Sequence, residues 1–300
     1  MDKIDLKNDL FEYRIVNFQA QIGIYNEFLK NLRLRKNIGL SCEYEIKGEQ
    51  LEDFSIKYGL DPKSVIIMFF PYMTEDKLKY IKENNLSVHA FSIDYHIIVK
   101  RLTEGIVEKI KLAYPDANFH IQCDNGEYNE KFFAINSGLG KEGLNSLVIN
   151  EVYGSYGFIS LIFTDIELEE YITQKKKCIM CRKCITCCPS KVISEKGVDF
   201  SKCISFLTQK KELSLEEEKL LKIQNKGYGC DACQNVCPEN KNKKYSNIED
   251  FNIDLLYNID LDNVLNISNK EFKNIYGKRN FAWKGKNIIK RNILILENNE

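Results

Sequence analysis

The 300-residue sequence predicts an α+β protein, and three observations support that fold class. Up to about residue 168, strand-like and helix-like hydrophobic patterns alternate, which is typical of a domain whose helices pack on a sheet. Nine of the 11 cysteines lie in a charged segment between positions 178 and 237. The last part of the chain lacks cysteine and ends in an amphipathic helical pattern. We therefore expect three parts, with limits at residues 1–168, 169–245 and 246–300.

The first part begins with helix-like patterns and continues into a strand. Apolar residues at roughly helical spacing between positions 10 and 29 predict helices with one buried face. Residues 64–70 are largely β-branched or aromatic and are flanked by Pro62 and Pro71. A short apolar run of this composition between two prolines predicts a buried central strand.

Further elements are expected downstream. Residues 95–114 place apolar side chains close to one helical face and are followed by Pro115, so they predict a helix. Residues 118–123 predict a strand that ends at Asp124, and residues 130–137 predict a short helix. The remaining expectations are a hairpin of strands 145–152 and 156–164, a polar helix at 213–224 and a C-terminal helix at 288–296.

Composition and charge narrow the class of protein. The 43 basic and 43 acidic residues give a formal net charge of zero, which excludes a histone-like polycation and an acidic solvating tail. The N-terminus has no apolar segment of signal-peptide length, and the longest apolar runs, 65–70 and 158–163, are strand-sized. We therefore expect a cytoplasmic chain with no membrane partner. In that compartment clustered cysteines indicate metal or redox sites rather than disulfides.

Two cysteine motifs occupy residues 178–238. The first, from Cys178 to Pro189, has the spacing C-x2-C-x2-C-x3-C-P, and the second, from Cys230 to Pro238, has the spacing C-x2-C-x3-C-P. With Cys203 and without Cys187, they supply eight thiolates, the number that two [4Fe–4S] clusters require. Because the cysteine before the proline of such a run reaches the other cluster, we expect crossed ligation. The two expected ligand sets are Cys178, Cys181, Cys184 and Cys237 for one cluster, and Cys188, Cys203, Cys230 and Cys233 for the other.

Structural zinc is the alternative to iron–sulfur clusters. Zinc takes four ligands and favours two separated C-x2-C pairs, whereas a three-cysteine run closed by Cys-Pro favours a ferredoxin-like domain with two [4Fe–4S] clusters. Cys187 competes with its neighbour Cys188 as the ligand, and both the x3 spacing and the following proline favour Cys188. Cys42 and Cys123 are expected to be small buried apolar side chains.

From about residue 64 onwards the sequence resembles the epoxyqueuosine reductases, a family of cobalamin-dependent iron–sulfur enzymes of tRNA modification. The most specific part is the cysteine region, including residues 202–208 and 229–238. The other matching stretches are Phe70-Pro71-Tyr72, Asp94-Tyr95-His96, residues 124–130, Gly138-Leu139-Gly140 with Gly143, and Asn292.

The resemblance implies an activity, cofactors and partners. The family reduces epoxyqueuosine to queuosine at the wobble base of certain tRNAs. The chain is therefore expected to be an oxidoreductase with a nitroreductase-like α/β domain at its N-terminus. Cobalamin is expected between that domain and the ferredoxin-like domain, and the two clusters would deliver electrons to it. The resemblance also implies an external low-potential electron donor, and we expect a monomer.

Individual site residues carry over at matching positions. Asp124 matches the aspartate proposed in the family as proton donor to the epoxide oxygen, which requires a protonated carboxyl, most simply through burial against the corrin. The alternative role for Asp124 is a cap of the turn before Gly126. His96 is not expected to ligate cobalt, because the glycine of the common Asp-x-His-x-x-Gly cobalamin motif is missing. The implied cobalamin contacts are Ser87, Asp124, Val148, Ile159 and Ser205.

A basic stretch near the C-terminus indicates an RNA partner. Residues 273–291 contain seven basic and no acidic side chains, together with Tyr276, Phe281 and Trp283. Basic and aromatic residues suit a phosphate backbone with stacked bases, although a solvated helix face would carry the same charge. With the resemblance, tRNA contact is the preferred interpretation. The alternative functions are a related cobalamin and iron–sulfur reductase of another substrate, such as an organohalide, and an iron–sulfur electron-transfer protein.

Overall fold

The computed structural model of the protein describes residues 3–42, 54–81, 84–124 and 126–297. Its strands are β1 (Glu12–Asn17), β2 (Ser64–Pro71), β3 (Phe119–Gln122), β4 (Lys141–Glu142), β5 (Val148–Ile149), β6 (Gly157–Thr164), β7 (Ile193–Ser194) and β8 (Gly197–Val198). Four of them form an antiparallel sheet in the order β1-β2-β6-β3. The strand pairs β4–β5 and β7–β8 form two short ribbons outside that sheet.

Helices lie on both faces of the sheet and throughout the second half of the chain, so the fold mixes helix and sheet as the sequence predicts. They are α1 (Phe18–Asn37), α2 (Phe54–Tyr58), α3 (Glu75–Leu78), α4 (Tyr95–Ala113), α5 (Glu130–Asn136), α6 (Lys183–Cys187), α7 (Ile204–Leu207), α8 (Leu215–Gln224), α9 (Ala232–Asn235), α10 (Asp262–Leu265), α11 (Asn269–Tyr276) and α12 (Lys286–Glu297). Short 3-10 segments cover Val88–Ala90, Phe200–Lys202, Pro238–Asn240, Glu249–Asn252 and Asn280–Lys284.

The predicted central strand is confirmed as β2. All eight of its residues are buried, because β1 and β6 flank it and helices cover both of its faces. Ile66 and Met68 share one core with the apolar face of α4, whereas Val65 and Ile67 share the opposite core with side chains of α1 and α5. Burial on both faces explains why the run is continuously apolar instead of alternating with polar residues.

The predicted helices at 95–114, 130–137, 213–224 and 288–296 are confirmed as α4, α5, α8 and α12. Local signals fix their starts. The Asp94 side chain accepts a 3.0 Å hydrogen bond from the backbone N–H of His96 and caps α4. Ser214 and Glu217 form a reciprocal capping box at the start of α8.

The helix predicted around positions 10–17 is wrong, because residues 12–17 form β1. All six of these residues pair with β2, from Glu12 opposite Phe69 to Asn17 opposite Ser64. Pairing with a buried neighbouring strand outweighs the helical spacing of the apolar side chains. Asn17 then caps α1 by accepting a 2.9 Å hydrogen bond from the Ala20 N–H, so the helix predicted further along this segment is confirmed.

The predicted hairpin of 145–152 and 156–164 is also wrong. β5 pairs with β4, whereas β6 pairs with β2 and β3. The Asn150 side chain supplies the physical reason, since its carbonyl accepts from the N–H groups of Val152 and Tyr153 while its amide donates to the Leu139 carbonyl. These bonds close a turn that ends the strand and hold it against the preceding glycine-rich loop.

The C-terminal part of the chain covers one face of the sheet. Phe251, Phe281 and Ile289 lie in the same hydrophobic core as Met68 of β2. Residues after 246 therefore contribute to the core of the N-terminal part, and the limits 1–168, 169–245 and 246–300 remain a prediction. Within the described residues, no helix combines the length and the apolar character that crossing a membrane requires.

Candidate active site

Four cysteine thiols form a group that we call the outer thiol site: Cys178, Cys181, Cys184 and Cys237. Cys178 and Cys181 are electrostatic neighbours of both Cys184 and Cys237. Cys181 is exposed and Cys184 is buried, so the site opens to solvent on one side. Burial raises the pKa of the Cys184 and Cys237 thiols.

The loop between these cysteines curls through two left-handed residues. Met180 has a φ of 55° and Arg182 a φ of 60°, a region that side chains other than glycine rarely adopt. Glu239, which follows Cys237-Pro238, forms a nearly buried ion pair with Lys141 of β4. This ion pair connects the outer thiol site to the first part of the chain.

The other four predicted ligands form the inner thiol site: Cys188, Cys203, Cys230 and Cys233. Cys203 neighbours Cys188, and Cys230 neighbours both of them. Cys233 in turn neighbours Cys230 and Cys203. The last cysteine of the first motif therefore lies among cysteines of the second. Burial raises the pKa of Cys230 to about 12 and also raises that of Cys203 and Cys233.

Cys187 lies between the two sites. Its Sγ donates to the backbone carbonyls of Ala232, at 3.3 Å, and Cys184, at 3.5 Å. Burial raises the pKa of this thiol as well. The two remaining cysteines, Cys42 and Cys123, are half-buried, and Cys42 neighbours Cys203.

A cavity of about 400 Å³ lies between the sheet and the inner thiol site. All four inner thiol residues belong to its wall, and none of the outer four does. The other wall residues that matter here are Tyr72, Ser87, His89, Asn145, Leu147 and Phe158 from the first part of the chain, and Ser205, Phe206 and Gln209 from the cysteine region. The cavity is thus built by both parts of the chain and has thiols at one end.

The predicted cobalamin contacts fall into three positions relative to this cavity. Ser87 and Ser205 lie in its wall. Val148 and Ile159 belong to the adjacent core, and each directly follows a wall residue in sequence. Asp124 is not among the wall residues.

Ser87 is held by the inner thiol loop. Its hydroxyl hydrogen-bonds to Asp231 and to His89 Nδ1, at 2.7 Å for the latter, and the Val88 N–H donates to Asp231 at 3.0 Å. Asp231 is 2% exposed and lies between two inner cysteines in sequence. Sequence reasoning missed Asp231 as a positioning residue, although it lies inside the second cysteine motif.

Gly229 allows the backbone of this loop to approach closely. It has a φ of 74°, and a Cβ there would lie 2.5 Å from the Ser87 Cβ. Any larger residue would separate Ser87 from the inner thiol loop, so this position requires glycine for both reasons.

Asp124 lies beyond the cavity, on the far side of Tyr95 and Phe158. Its Oδ2 accepts a 2.7 Å hydrogen bond from the Tyr95 hydroxyl and lies 3.2 Å from His96 Nε2. The Tyr95 ring stacks on Phe158 with 3.9 Å between centroids and 5° between planes. Asp124 has a φ of 60°, and the next residue, Asn125, lies outside the described residues. The side chain is half-exposed and would have to move to enter the cavity.

His96 carries a proton in this arrangement. Burial alone would lower its pKa, but hydrogen bonds to Asp124 and Asp94 outweigh burial and raise it to about 9. Its Nδ1 lies 2.7 Å from Asp94 Oδ1. An imidazolium therefore joins two carboxylates at the start of α4. The Asp94-Tyr95-His96 motif can be recognised in the sequence, but the contact of His96 with Asp124 depends on tertiary structure.

The basic C-terminal stretch is only partly available to a partner. Arg279 pairs with Asp254 at 2.9 Å, and Arg291 donates to the carbonyls of Lys210 and Lys211 at 2.8 Å. Two of its aromatic residues, Tyr276 and Phe281, are buried, whereas Trp283 is 57% exposed. Some of the charge that indicated RNA binding thus stabilises the fold instead.

Comparison with known proteins agrees with this geometry. Residues 177–240 match the family model of the 4Fe-4S double cluster binding domain. The chain is 33% identical to an epoxyqueuosine reductase of Bacillus subtilis (strain 168), with 98% of this chain and 79% of the relative aligned. It is 32% identical to an epoxyqueuosine reductase of Lactococcus garvieae, with 78% of this chain and 68% of the relative aligned.

Two solved structures are similar over nearly the whole chain. One is an epoxyqueuosine reductase with an epoxyqueuosine-modified tRNA-Tyr stem loop, at a TM-score of 0.79 and 25% identity over 95% of this chain and 76% of that one. The other is an epoxyqueuosine reductase of Bacillus subtilis whose catalytic aspartate loop is swung out of the active site. It has a TM-score of 0.77 and 25% identity, again over 95% of this chain and 76% of that one.

Proposed function

This chain belongs to the epoxyqueuosine reductase family, and from that premise we propose that it reduces epoxyqueuosine to queuosine in tRNA. The observation that carries the proposal is the cavity, whose wall combines all four inner thiols with Ser87 and Ser205. A redox cofactor bound there would lie directly beside the inner thiol site. Localisation in the cytoplasm, where tRNA is modified, and a nitroreductase-like N-terminal domain belong to the same proposal.

We assign the two thiol sites to two [4Fe–4S] clusters, the number that the matching double-cluster family model implies. Cys178, Cys181, Cys184 and Cys237 would hold one cluster, and Cys188, Cys203, Cys230 and Cys233 the other. Each set supplies four cysteines, and the raised pKa values of the buried thiols mean that cluster assembly must displace protons from sulfur. The clusters supply one-electron transfer when bound, and an external low-potential donor would reduce them.

Cobalamin is the cofactor that we propose for this cavity. Ser87 and Ser205 line the cavity together with Leu147 and Phe158, so its wall combines polar and apolar side chains, as cofactor sites commonly do. Gly229 keeps the backbone close to Ser87 at this wall. Bound cobalamin would supply a cobalt centre able to reduce the epoxide. Asp231 positions Ser87, and the buried sheet behind Phe158 excludes water from one side.

Asp124 is the proposed proton donor. Converting an epoxide to an alkene takes two electrons and two protons, and the oxygen leaves as water, so an acid must protonate that oxygen as the carbon–oxygen bond breaks. In the present arrangement Asp124 is held outside the cavity by Tyr95 and His96. We propose that its loop swings inward when substrate binds, and that His96, protonated at neutral pH, is a source from which the carboxylate regains a proton.

A single-turnover experiment tests the function. The chain is reconstituted anaerobically with iron and sulfide, with or without cobalamin, reduced chemically, and mixed with an anticodon stem-loop RNA that carries epoxyqueuosine. Mass spectrometry of the digested nucleosides should show queuosine only in the sample with cobalamin. Cobalamin binding without conversion of the RNA would favour a reductase of another substrate, whereas no cobalamin binding would favour an electron-transfer protein.

A further inference from the structure

One segment joins the two ends of the candidate active site. Its first residue, Lys278, accepts a 2.7 Å hydrogen bond at its carbonyl from the Asp94 N–H, next to His96 and Asp124. At its other end the Trp283 Nε1 donates a 3.2 Å hydrogen bond to the side chain of Gln209, which belongs to the cavity wall. Residues 278–284 therefore border the site from the Asp124 side to the Gln209 side.

Trp283 is the part of this segment that faces solvent. It is the only tryptophan in the sequence, and 57% of it is exposed, whereas Phe281 is fully buried. The Lys284 Nζ lies 4.1 Å from the centroid of the Trp283 ring, which places a positive charge beside an exposed aromatic surface. Lys278 at the start of the segment is also exposed.

An enzyme that acts on a base within RNA must take that base out of its stack, so the neighbouring nucleotides remain at the rim of the cavity. Beside Gln209 of the cavity wall, the chain offers an indole ring and an ammonium group. Aromatic rings bind unstacked bases of any sequence, and lysines bind the phosphates between them. A structural role alone would not require so much of the indole to be exposed.

We propose that Trp283 is the platform on which a nucleotide adjacent to the modified base stacks, and that Lys284 binds the phosphate beside it. The inference rests on the proposed function and deepens it, because it assigns the single-stranded RNA contact to one residue that is hydrogen-bonded to the cavity wall. Arg279, which is buried, and Arg291, which is half-buried, would be included in an RNA-binding stretch on sequence alone but take no part.

The first test measures binding of the epoxyqueuosine stem-loop RNA to the cluster-loaded, cobalamin-bound enzyme. We expect Trp283→Ala to weaken binding about 5- to 150-fold, the range typical of removing one stacking side chain. Trp283→Phe keeps an aromatic face and should restore most of the affinity. Ile275→Ala is the control, because Ile275 is 59% exposed on the neighbouring α11 but offers no aromatic face. Equal losses for Trp283→Ala and Ile275→Ala would overturn the proposal.

The second test separates stacking from a purely structural role. Stem-loops that lack the base on the 5′ or the 3′ side of the modified nucleotide should bind the wild-type enzyme more weakly. For one of these two RNAs, the Trp283→Ala variant should bind the abasic and the complete stem-loop equally well. In that RNA the missing base is the one that stacks on Trp283, so the variant has no stacking left to lose. Fully additive losses with both abasic RNAs would contradict stacking, whatever the stability of the variant.

The single tryptophan provides an independent signal. Enzyme containing 5-fluorotryptophan has one fluorine resonance, and we expect the complete stem-loop to shift it more than the responsive abasic RNA does.

Failure of the inference differs from failure of the proposed function. Wild-type enzyme that converts the RNA while its fluorine resonance and the variant affinities stay unchanged would refute only the role of Trp283, whereas an inactive wild-type enzyme would refute the function.

Discussion

The outer and inner thiol sites have the same number of cysteines but different surroundings. The outer site includes the exposed Cys181 and is joined to the sheet part of the chain by the Glu239–Lys141 ion pair. The inner site lies in the wall of a cavity, and Asp231 connects it to Ser87 and Val88 through buried hydrogen bonds. Burial raises the pKa of Cys230 in the inner site to about 12.

This difference indicates that the two thiol sites have different roles in electron transfer. A solvent-exposed cluster site suits exchange of electrons with an external protein, because the partner can approach it. A site inside a cavity wall suits delivery to a bound cofactor and protects that cofactor from water. The positions of the eight cysteines therefore suggest a direction, from the outer site toward the cavity, and each prediction below tests whether the two sites differ in this way.

The largest effect is expected from loss of an inner ligand. Cys230→Ser should leave the protein with one intact [4Fe–4S] cluster and reduce single-turnover conversion of epoxyqueuosine below detection. Cys181→Ser removes a predicted outer ligand, so it should abolish multiple turnover with a protein donor but allow single turnover after chemical reduction. Iron and sulfide analysis with nucleoside mass spectrometry measures both. Single-turnover losses of equal size would remove the distinction between the sites.

Cys187→Ser is the matched control for these variants. The Cys187 thiol donates to backbone carbonyls and is not assigned to either cluster, so this variant should retain two clusters and turnover. Loss of a cluster in Cys187→Ser with retention in Cys188→Ser would reverse the assignment of these two neighbours.

A smaller but still large effect is expected at Asp124, on the far side of the cavity from the inner thiols. Asp124→Asn should lower the rate of conversion about 10²- to 10⁴-fold, the usual contribution of a general acid. Both clusters and cobalamin should remain bound, because Asp124 belongs to neither thiol site nor the cavity wall. Turnover at the wild-type rate would show that another group protonates the epoxide oxygen.

Asp231 and Glu239 form a matched pair, since each lies within two residues of a predicted ligand cysteine and connects its thiol site to the first part of the chain. Asp231→Asn places an amide N–H near two donors, Ser87 and the Val88 N–H, and should cost about 1–3 kcal/mol of unfolding free energy. It should also weaken cobalamin binding. Glu239→Gln should destabilise the outer site but leave cobalamin affinity unchanged. Urea unfolding and cobalamin titration distinguish these outcomes, and equal cobalamin affinities in the two variants would contradict the account.

The smallest effect is a pH dependence at the Asp124 contact. Because the pKa of His96 is raised to about 9, its imidazolium contributes stability that is fully present below about pH 6.5, the ordinary pKa, and is lost as pH rises through about 9. We expect a loss of about 1–2 kcal/mol, since the partner carboxylate is half-exposed.

The sequence contains three histidines, so their NMR titrations can be resolved. His96 should titrate near pH 9, whereas burial lowers the pKa of His89 and His120 below the usual value. In His96→Gln the high-pH loss of stability should disappear. An ordinary pKa for His96 would show that its contact with Asp124 does not persist in solution.

The sequence was sufficient for features that depend on local spacing. The cysteine spacing predicts that Cys188 lies with the cysteines of the second motif, and in the structure the thiol of Cys188 neighbours that of Cys230. The same holds for β2, whose continuous apolar run reflects burial on both faces. Residues 12–17 were misassigned because the hydrogen bonds that make them a strand come from β2, which is distant in sequence.

The remainder of the site depends on contacts between distant residues. Nothing local predicts that Asp231 accepts hydrogen bonds from Ser87, more than 140 positions away, or that His96 holds Asp124 outside the cavity. The charge pattern of the sequence also does not show which basic residues are available to RNA, because the guanidinium groups of Arg279 and Arg291 bind groups within the fold. Only the tertiary structure shows that Trp283, among the aromatic residues of that stretch, is exposed.

The central claim is that the cavity beside the inner thiol site holds cobalamin, and a titration of cobalamin onto cluster-loaded protein tests it most directly. We predict about one cobalamin per wild-type chain and little binding by Ser205→Phe or Leu147→Trp, which place larger side chains at two lining positions from different parts of the chain. Ser194→Phe, at an exposed position outside the cavity, should bind like the wild type. Wild-type affinity in both cavity-filling variants, with cluster content unchanged, would contradict the account.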